Sequence, residues 1–263
     1  MSATTTKHWA LILGGSRGLG LATAKKLAKH GYAICIVHRD RRADMEAINV
    51  GFQEIKAAAT DFYAVNADAI NSEKRKEVLK HLGEMMEEGD TIKIFVHSIA
   101  KGSMKPMAGD TSLRLTAQDI EITCKSMAVS LYEWVQDILV SGLNDDDMRV
   151  ISFTSEGNTK VIPGYAAVSV AKVALEALTR SMALELAPLG VKANCIQAGV
   201  TETASFSMIP NSERIKENAV KRNPSGRITT PEDVANTVYL LSLEEAKWIT
   251  GTIIKADGGE SLR

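Results

Sequence analysis

The chain has 263 residues, 45% hydrophobic and 24% charged, with a formal net charge of −1. This is the balance of an ordinary globular protein, and it offers no global attraction to nucleic acid or to an anionic membrane. No apolar run approaches the ~18 residues of a membrane span, and the N-terminal MSATTTKHWALIL is too short for a signal-peptide core with a cleavage site, so a cytoplasmic protein is expected.

Short apolar runs alternate with longer helical patterns along the chain. A strand at Ala10–Leu13 leads into a helix over Leu19–His30, which Gly31 ends as a C′ residue. Tyr32–Val37 reads as the next strand, Ala43–Ala59 as a helix and Phe62–Val65 as a strand. The charged helix Ser72–Glu88 stops at Gly89, before a strand at Ile92–Val96. A long helix over Thr116–Val140 precedes a strand at Arg149–Phe153, and the acidic Asn144–Asp147 between them reads as a solvated loop. A helix over Tyr165–Leu186 and strands at Val191–Ile196 and Thr252–Ile254 follow. Repeated strand–helix–strand units with near-continuous apolar strands predict an α/β fold: a Rossmann-type, doubly wound parallel sheet with helices on both faces. No linker or break in composition divides residues 1–263, so a single domain is expected. Cys35, Cys124 and Cys195 lie far apart in apolar surroundings without metal-ligand spacing, which predicts free thiols.

The first strand runs into Gly14-Gly-Ser-Arg-Gly-Leu-Gly20, which opens the first helix. In a turn of this kind Gly14, Gly18 and Gly20 allow a tight bend, a close approach to a pyrophosphate and packing of the helix on the sheet. The helix start then offers N–H donors to the phosphates, with Ser16, Arg17 and Leu19 lining the loop. Arg39 stands just past the second strand, where an acidic residue would bind a ribose 2′-hydroxyl. Together with Arg17 it suits a 2′-phosphate through charge-assisted bonds, so NADPH is expected over NADH, although Asp40 pulls the other way.

With these residues the chain resembles the short-chain dehydrogenase/reductases from end to end. The resemblance rests on the glycine loop, on Asp68, Ser155, Tyr165 and Lys172, on Asn194–Thr203 and on the Ile253–Gly259 segment. It implies that Ser155, Tyr165 and Lys172 are catalytic and that Asp68 contacts the adenine. Val200, Thr201 and Thr203, with Gly199, would line the nicotinamide and diphosphate. The Val96-His-Ser-Ile-Ala100 segment would run along the cofactor through Ser98, Ile99 and Ala100, which makes His97 a backbone element more than a proton donor.

Within that family, Val96–Ala100, Ala198-Gly199 and the seven-residue step from Tyr165 to Lys172 resemble the enoyl-acyl-carrier-protein reductases. The glycine loop keeps the ordinary family form, which is similar to their smaller, divergent, NADPH-using branch. Ser155 keeps the family's distance to Lys172, whereas Val168 stands four residues before Lys172, where a carbonyl reductase has its tyrosine. Thr123 stands where ordinary members carry an asparagine. Seven residues turn an α-helix through roughly 700°, close to two full turns, so Tyr165 and Lys172 share a face. Lys172 is expected to hold the nicotinamide ribose and to favour phenolate character in Tyr165.

The resemblance implies reduction of trans-2-enoyl thioesters, bound to acyl carrier protein or coenzyme A, in fatty-acid elongation. A 3-oxoacyl or other carbonyl reductase is the alternative, and a non-catalytic NADPH-binding sensor a second one. A homotetramer is implied in the same way. Ala204–Pro224 reads as a mobile substrate lid. Met104, Met107, Phe206 and Met208 are candidates for an acyl channel, and Lys216, Lys221, Arg222 and Arg227 for docking an acidic carrier.

Overall fold

The computed structural model describes residues 6–110, 113–207, 209 and 211–263. Seven strands, β1 (His8–Leu13), β2 (Ala33–His38), β3 (Phe62–Asn66), β4 (Thr91–His97), β5 (Asn144–Ser155), β6 (Lys192–Ala198) and β7 (Ile253–Ala256), pair in parallel in the order β3-β2-β1-β4-β5-β6-β7. The strand order reverses between β1 and β4, and open α/β sheets bind ligands in the crevice beyond the carboxyl ends of the strands at such a point.

The helices are α1 (Gly18–Ala28), α2 (Met45–Ala58), α3 (Ser72–Met85), α4 (Ala117–Cys124), α5 (Ser130–Ser141), α6 (Ala166–Glu185), α7 (Ala204–Ser207), α8 (Ser212–Arg222) and α9 (Pro231–Ser242). Alternation along β1 shows how they cover the sheet. Trp9, Leu11 and Leu13 join one core with residues of α3, α5 and α6, among them Leu79, Trp134 and Leu175. Ala10 and Ile12 join the other with Leu27, Ile55 and Val238 of α1, α2 and α9. Both faces of the strand are buried, which is why its sequence is a continuous apolar run rather than an alternating one.

Three expectations need correction. The helix expected over Thr116–Val140 is α4 and α5 joined through a π-helical turn at Lys125–Val129. Helices α8 and α9 have no counterpart among the expected elements, although Thr230 and Asp233 form a capping box across Pro231 at the α9 start. The acidic Asn144–Asp147 is not a solvated loop but the first third of β5. Asp147 is buried because Arg149 (2.7 Å) and Lys192 (2.6 Å) meet its carboxylate, and Asp145 accepts from Thr91 at 2.6 Å. Charges that neutralise one another can enter a sheet that an isolated acidic run could not.

Removing one member of a buried cluster strands the others. Asp147→Ala is expected to destabilise the protein by about 3 kcal/mol, measured by urea unfolding at pH 7, because Arg149 then keeps its charge inside without a carboxylate.

Candidate active site

The crevice is built first by backbone. Gly14, at the end of β1, has φ +74°, and a Cβ added there would lie 2.4 Å from the carbonyl oxygen of Ser98. Its N–H donates to Val37 O (2.8 Å), and Ser98 N–H donates to Leu13 O (3.0 Å), so the ends of β1, β2 and β4 converge on a residue that has to be glycine. Helix α1 begins directly beyond, with no acidic residue in its first turn and no side-chain cap from Arg17. Its first N–H groups are left to a ligand, and the helix dipole favours an anionic one.

One cavity of about 610 Å3 runs from this loop along the strand ends, within the usual size range of small-molecule sites. Of the expected cofactor residues, Gly14, those at 16–19, 98–100 and 199–201, and Thr203 line it, as do Ser155, Tyr165 and Lys172. Gly20, Arg39 and Asp68 are not on its wall. Gly20 is buried in the first turn of α1, and Arg39 and Asp68 pair with each other at 2.5 Å, both exposed. Arg17 is likewise engaged, 3.0 Å from Asp44 and 3.4 Å from Asp40. Burial opposes ionisation of Asp40, but bonds from Ser16 and His38 and the Arg17 charge outweigh it and hold the carboxyl below its usual range.

The catalytic candidates sit on α6 and at the end of β5. Tyr165 is the N-cap of α6 (φ −99°, ψ 3°), and its carbonyl accepts the first helical bond from Ser169 N–H at 2.9 Å. Its ring lies against Gly157, where an added Cβ would fall 2.6 Å from the ring edge. Burial raises the phenol's pKa, and the nearby Ser155 hydroxyl offsets part of that rise. Ser155 Oγ is buried without a hydrogen bond of good geometry, so its influence on the phenol is one of proximity. Val168 also lines the cavity, at the position where the expected carbonyl-reductase tyrosine would stand.

Lys172 is buried, and its Nζ donates to the carbonyl of Phe153 at 2.6 Å. Burial lowers its pKa to about 8, opposed by Cys195 and Glu176. The expected push of Tyr165 toward phenolate is not found. Lys172 is turned to the β5 backbone, and the phenol, governed by burial, stays a proton donor at neutral pH.

Nearby residues have structural tasks. His97 is buried, 2.8 Å from Ser130 Oγ, and off the cavity wall; burial, then the Lys172 charge, lower its pKa to about 3, so the ring is neutral at working pH. Thr123 accepts from Ser103 N–H at 3.0 Å and donates to Asp119 O at 2.6 Å, fixing the segment after β4. Met104 and Phe206 line the cavity with Met127 and Ile162, whereas Met107 is 70% exposed and away from it, and Met208 lies outside the described residues. The candidate docking cations are largely spoken for. Lys216 pairs with Glu202 (2.7 Å), Arg227 with Asp233 (2.6 Å) and Arg222 with Glu156 (2.5 Å) and Glu260 (3.2 Å). The three cysteines are free, and no metal-binding cluster occurs among the described residues. No helix there is long and apolar enough to cross a membrane.

A glycine cradle at the sheet's switch point, an uncapped helix start and a buried, unpartnered hydroxyl fit a dinucleotide laid along the cavity. The family accords with that fit. Residues 14–261 match the family model described as Enoyl-(Acyl carrier protein) reductase, and the chain belongs to that family, within the short-chain dehydrogenase/reductases. It is an oxidoreductase of that superfamily, whose fold implies a nicotinamide cofactor. It is 26% identical over 252 residues to a 3-oxoacyl-[acyl-carrier-protein] reductase of Staphylococcus epidermidis, covering 95% of this chain and 97% of that one. A 1-cyclohexenylcarbonyl-CoA reductase of Streptomyces collinus is 27% identical over 255 residues, covering 96% and 86%. The structure of an NADH-dependent enoyl-[acyl-carrier-protein] reductase from Aquifex aeolicus superposes with a TM-score of 0.82 at 25% identity, covering 98% of each chain.

A side chain at position 14 has no room. Gly14→Val is expected to weaken nicotinamide-dinucleotide binding at least tenfold, roughly 1.4 kcal/mol, in a fluorescence titration.

Proposed function

We propose that the protein reduces the C2=C3 bond of trans-2-enoyl thioesters with NADPH, the reductive step of fatty-acid elongation. The observation that carries this reading is which residue presents the phenol. Tyr165 faces the cavity at the helix start, and Val168, almost a turn along, lines the wall where a carbonyl reductase would place its tyrosine. In ketone reduction the carbon that takes hydride is bonded directly to the oxygen that takes the proton. In an enoyl thioester, hydride goes to the β-carbon while negative charge gathers on a carbonyl oxygen several bonds away. A phenol displaced by roughly 4.5 Å along the helix answers that separation.

A bound nicotinamide would supply the hydride. The rest falls to the chain. Tyr165, kept neutral by burial, donates to the thioester carbonyl oxygen and releases its proton as charge develops there. Such a donor commonly contributes a few kcal/mol to the transition state. The hydroxyl of Ser155, on the cavity wall and without a partner, would donate a second bond to the same oxygen. Lys172, charged below about pH 8, would hold the ribose hydroxyls and keep a positive field behind the site.

The second reading is reduction of a 3-oxoacyl thioester, and the relatives favour it over the first, because the staphylococcal ones are 3-oxoacyl-[acyl-carrier-protein] reductases. The description of the family model and the 1-cyclohexenylcarbonyl-CoA reductase support the enoyl reading. Further parts of the proposal are a 2′-phosphate held by Arg17 and Arg39 once they exchange their carboxylate partners, and residues 204–224 as a substrate lid. Phe206, Ile215 and Arg222 of that stretch line the cavity. A carrier-bound or coenzyme A-bound substrate, a homotetramer and a cytoplasmic site of action complete it.

Crotonyl thioester is expected to drive NADPH oxidation, and acetoacetyl thioester to do so much more slowly. Turnover of acetoacetyl thioester alone would establish the second reading, and turnover of neither would point to a cofactor-binding sensor. Tyr165→Phe should lower kcat about 100-fold with the fold intact by circular dichroism. Arg39→Glu should raise the KM for NADPH about tenfold more than that for NADH; equal effects would remove Arg39 from the 2′-phosphate site.

A further inference from the structure

One buried carboxylate is used by no step of the reduction. Glu176 lies one turn beyond Lys172 on α6 and is 7% exposed. An acidic side chain in that position has no reason in stability alone, since a well-packed apolar residue there would avoid the desolvation cost. Its Oε1 accepts from the Thr154 hydroxyl (2.5 Å) and from the side-chain amide of Asn158. Thr154 immediately precedes Ser155, and Asn158 immediately follows Gly157, the residue under the Tyr165 ring. From the same helix, Lys172 holds the carbonyl of Phe153. Helix α6 therefore grips the chain at 153, 154 and 158, on both sides of the segment that carries Ser155 and supports Tyr165.

Glu176 and Lys172 are also buried four residues apart on α6, one helical turn, so the carboxylate's charge reaches the ammonium without a direct ion pair. The groups that act on Lys172 or are acted on by it come from three elements packed together: Glu176 on α6, Cys195 on β6 and His97 on β4. His97 is neutral, and burial raises the Cys195 thiol so that it keeps its proton. Glu176 is the carboxylate of the set.

We propose that Glu176 is a positioning residue that acts through Lys172 and Ser155, clamping the end of β5 onto α6 and keeping a negative charge one helical turn from the Lys172 ammonium. The proposal rests on Lys172 belonging to the site and not on which thioester is reduced. Its two parts separate by substitution. Glu176→Gln keeps an oxygen for Thr154 and Asn158 but removes the charge. Asn158→Ala keeps the charge and opens the clamp.

Lysine side-chain NMR titration of the free protein reads the first part. Lys172 is expected to titrate near pH 8 in the parent protein, and about one unit lower in Glu176→Gln, because loss of a nearby negative charge disfavours the ammonium. The alkaline limb of kcat/KM, measured with whichever of the crotonyl and acetoacetyl thioesters is turned over, should move down by the same amount. Asn158→Ala should leave the Lys172 titration in place and lower kcat several-fold, with the KM for the cofactor little changed. An unmoved Lys172 titration in Glu176→Gln, or parent-like kcat in Asn158→Ala, would overturn the proposal. Asn158→Ala still decides the clamp if Glu176→Gln does not fold.

Discussion

A single hydrogen bond, from the buried Lys172 ammonium to the carbonyl of Phe153, fixes the relation on which the site depends. The charge at its donor end makes it stronger than an ordinary neutral bond, and burial removes competing water. Together with the Glu176 bonds and the packing of Leu175 and Met182 in the core, it holds α6 against β5. Ser155, two residues along the strand, and Tyr165, two helical turns before the lysine, then have little freedom in where they can meet. The cost is a cation held in a dry interior, and its lowered pKa records that cost. Catalytic geometry and an awkward charge are here the same feature.

Charge is managed the same way elsewhere. On a nearly neutral chain, the positive groups near the cavity mouth do not form a free basic patch. Arg222 is shared between Glu156 and Glu260, and Glu260 in turn accepts the N–H of Val200. Arg17 and Arg39 are held by Asp40, Asp44 and Asp68. The Arg17–Asp44 and Arg39–Asp68 pairs are exposed on both sides, and exposed pairs are individually weak. On the proposed reading a phosphate would displace those two carboxylates at modest cost.

The sequence made much of this legible, for physical reasons that also explain the gaps. Strands buried on both faces announce themselves as unbroken apolar runs, and a glycine loop at a strand end needs no tertiary information to be read. The place of Gly14, Ser155, Tyr165 and Lys172 on one cavity followed from those local signals and from the resemblance to a family. Partners distant in sequence did not show. The acidic start of β5 reads as a solvated loop until Arg149 and Lys192 are brought beside Asp147. The direction of the Lys172 side chain depends on a carbonyl of another element. Helix α8 has few apolar positions, so its periodicity is faint, whereas the capping box of α9 was a local signal within reach.

The strand order has one more consequence. The cavity takes its walls from Gly14 at one end of the sequence to Ser261 at the other, with contributions from the ends of β4, β5, β6 and β7 between. No contiguous part of the chain contains it, so a partly unfolded molecule has no remnant of the site to offer a ligand. Each bound molecule therefore stabilises the whole fold against global unfolding, by RT ln(1 + [L]/Kd), rather than bracing one region of it. The resistance of this protein to denaturation in a cell is set in part by how much cofactor the cell holds.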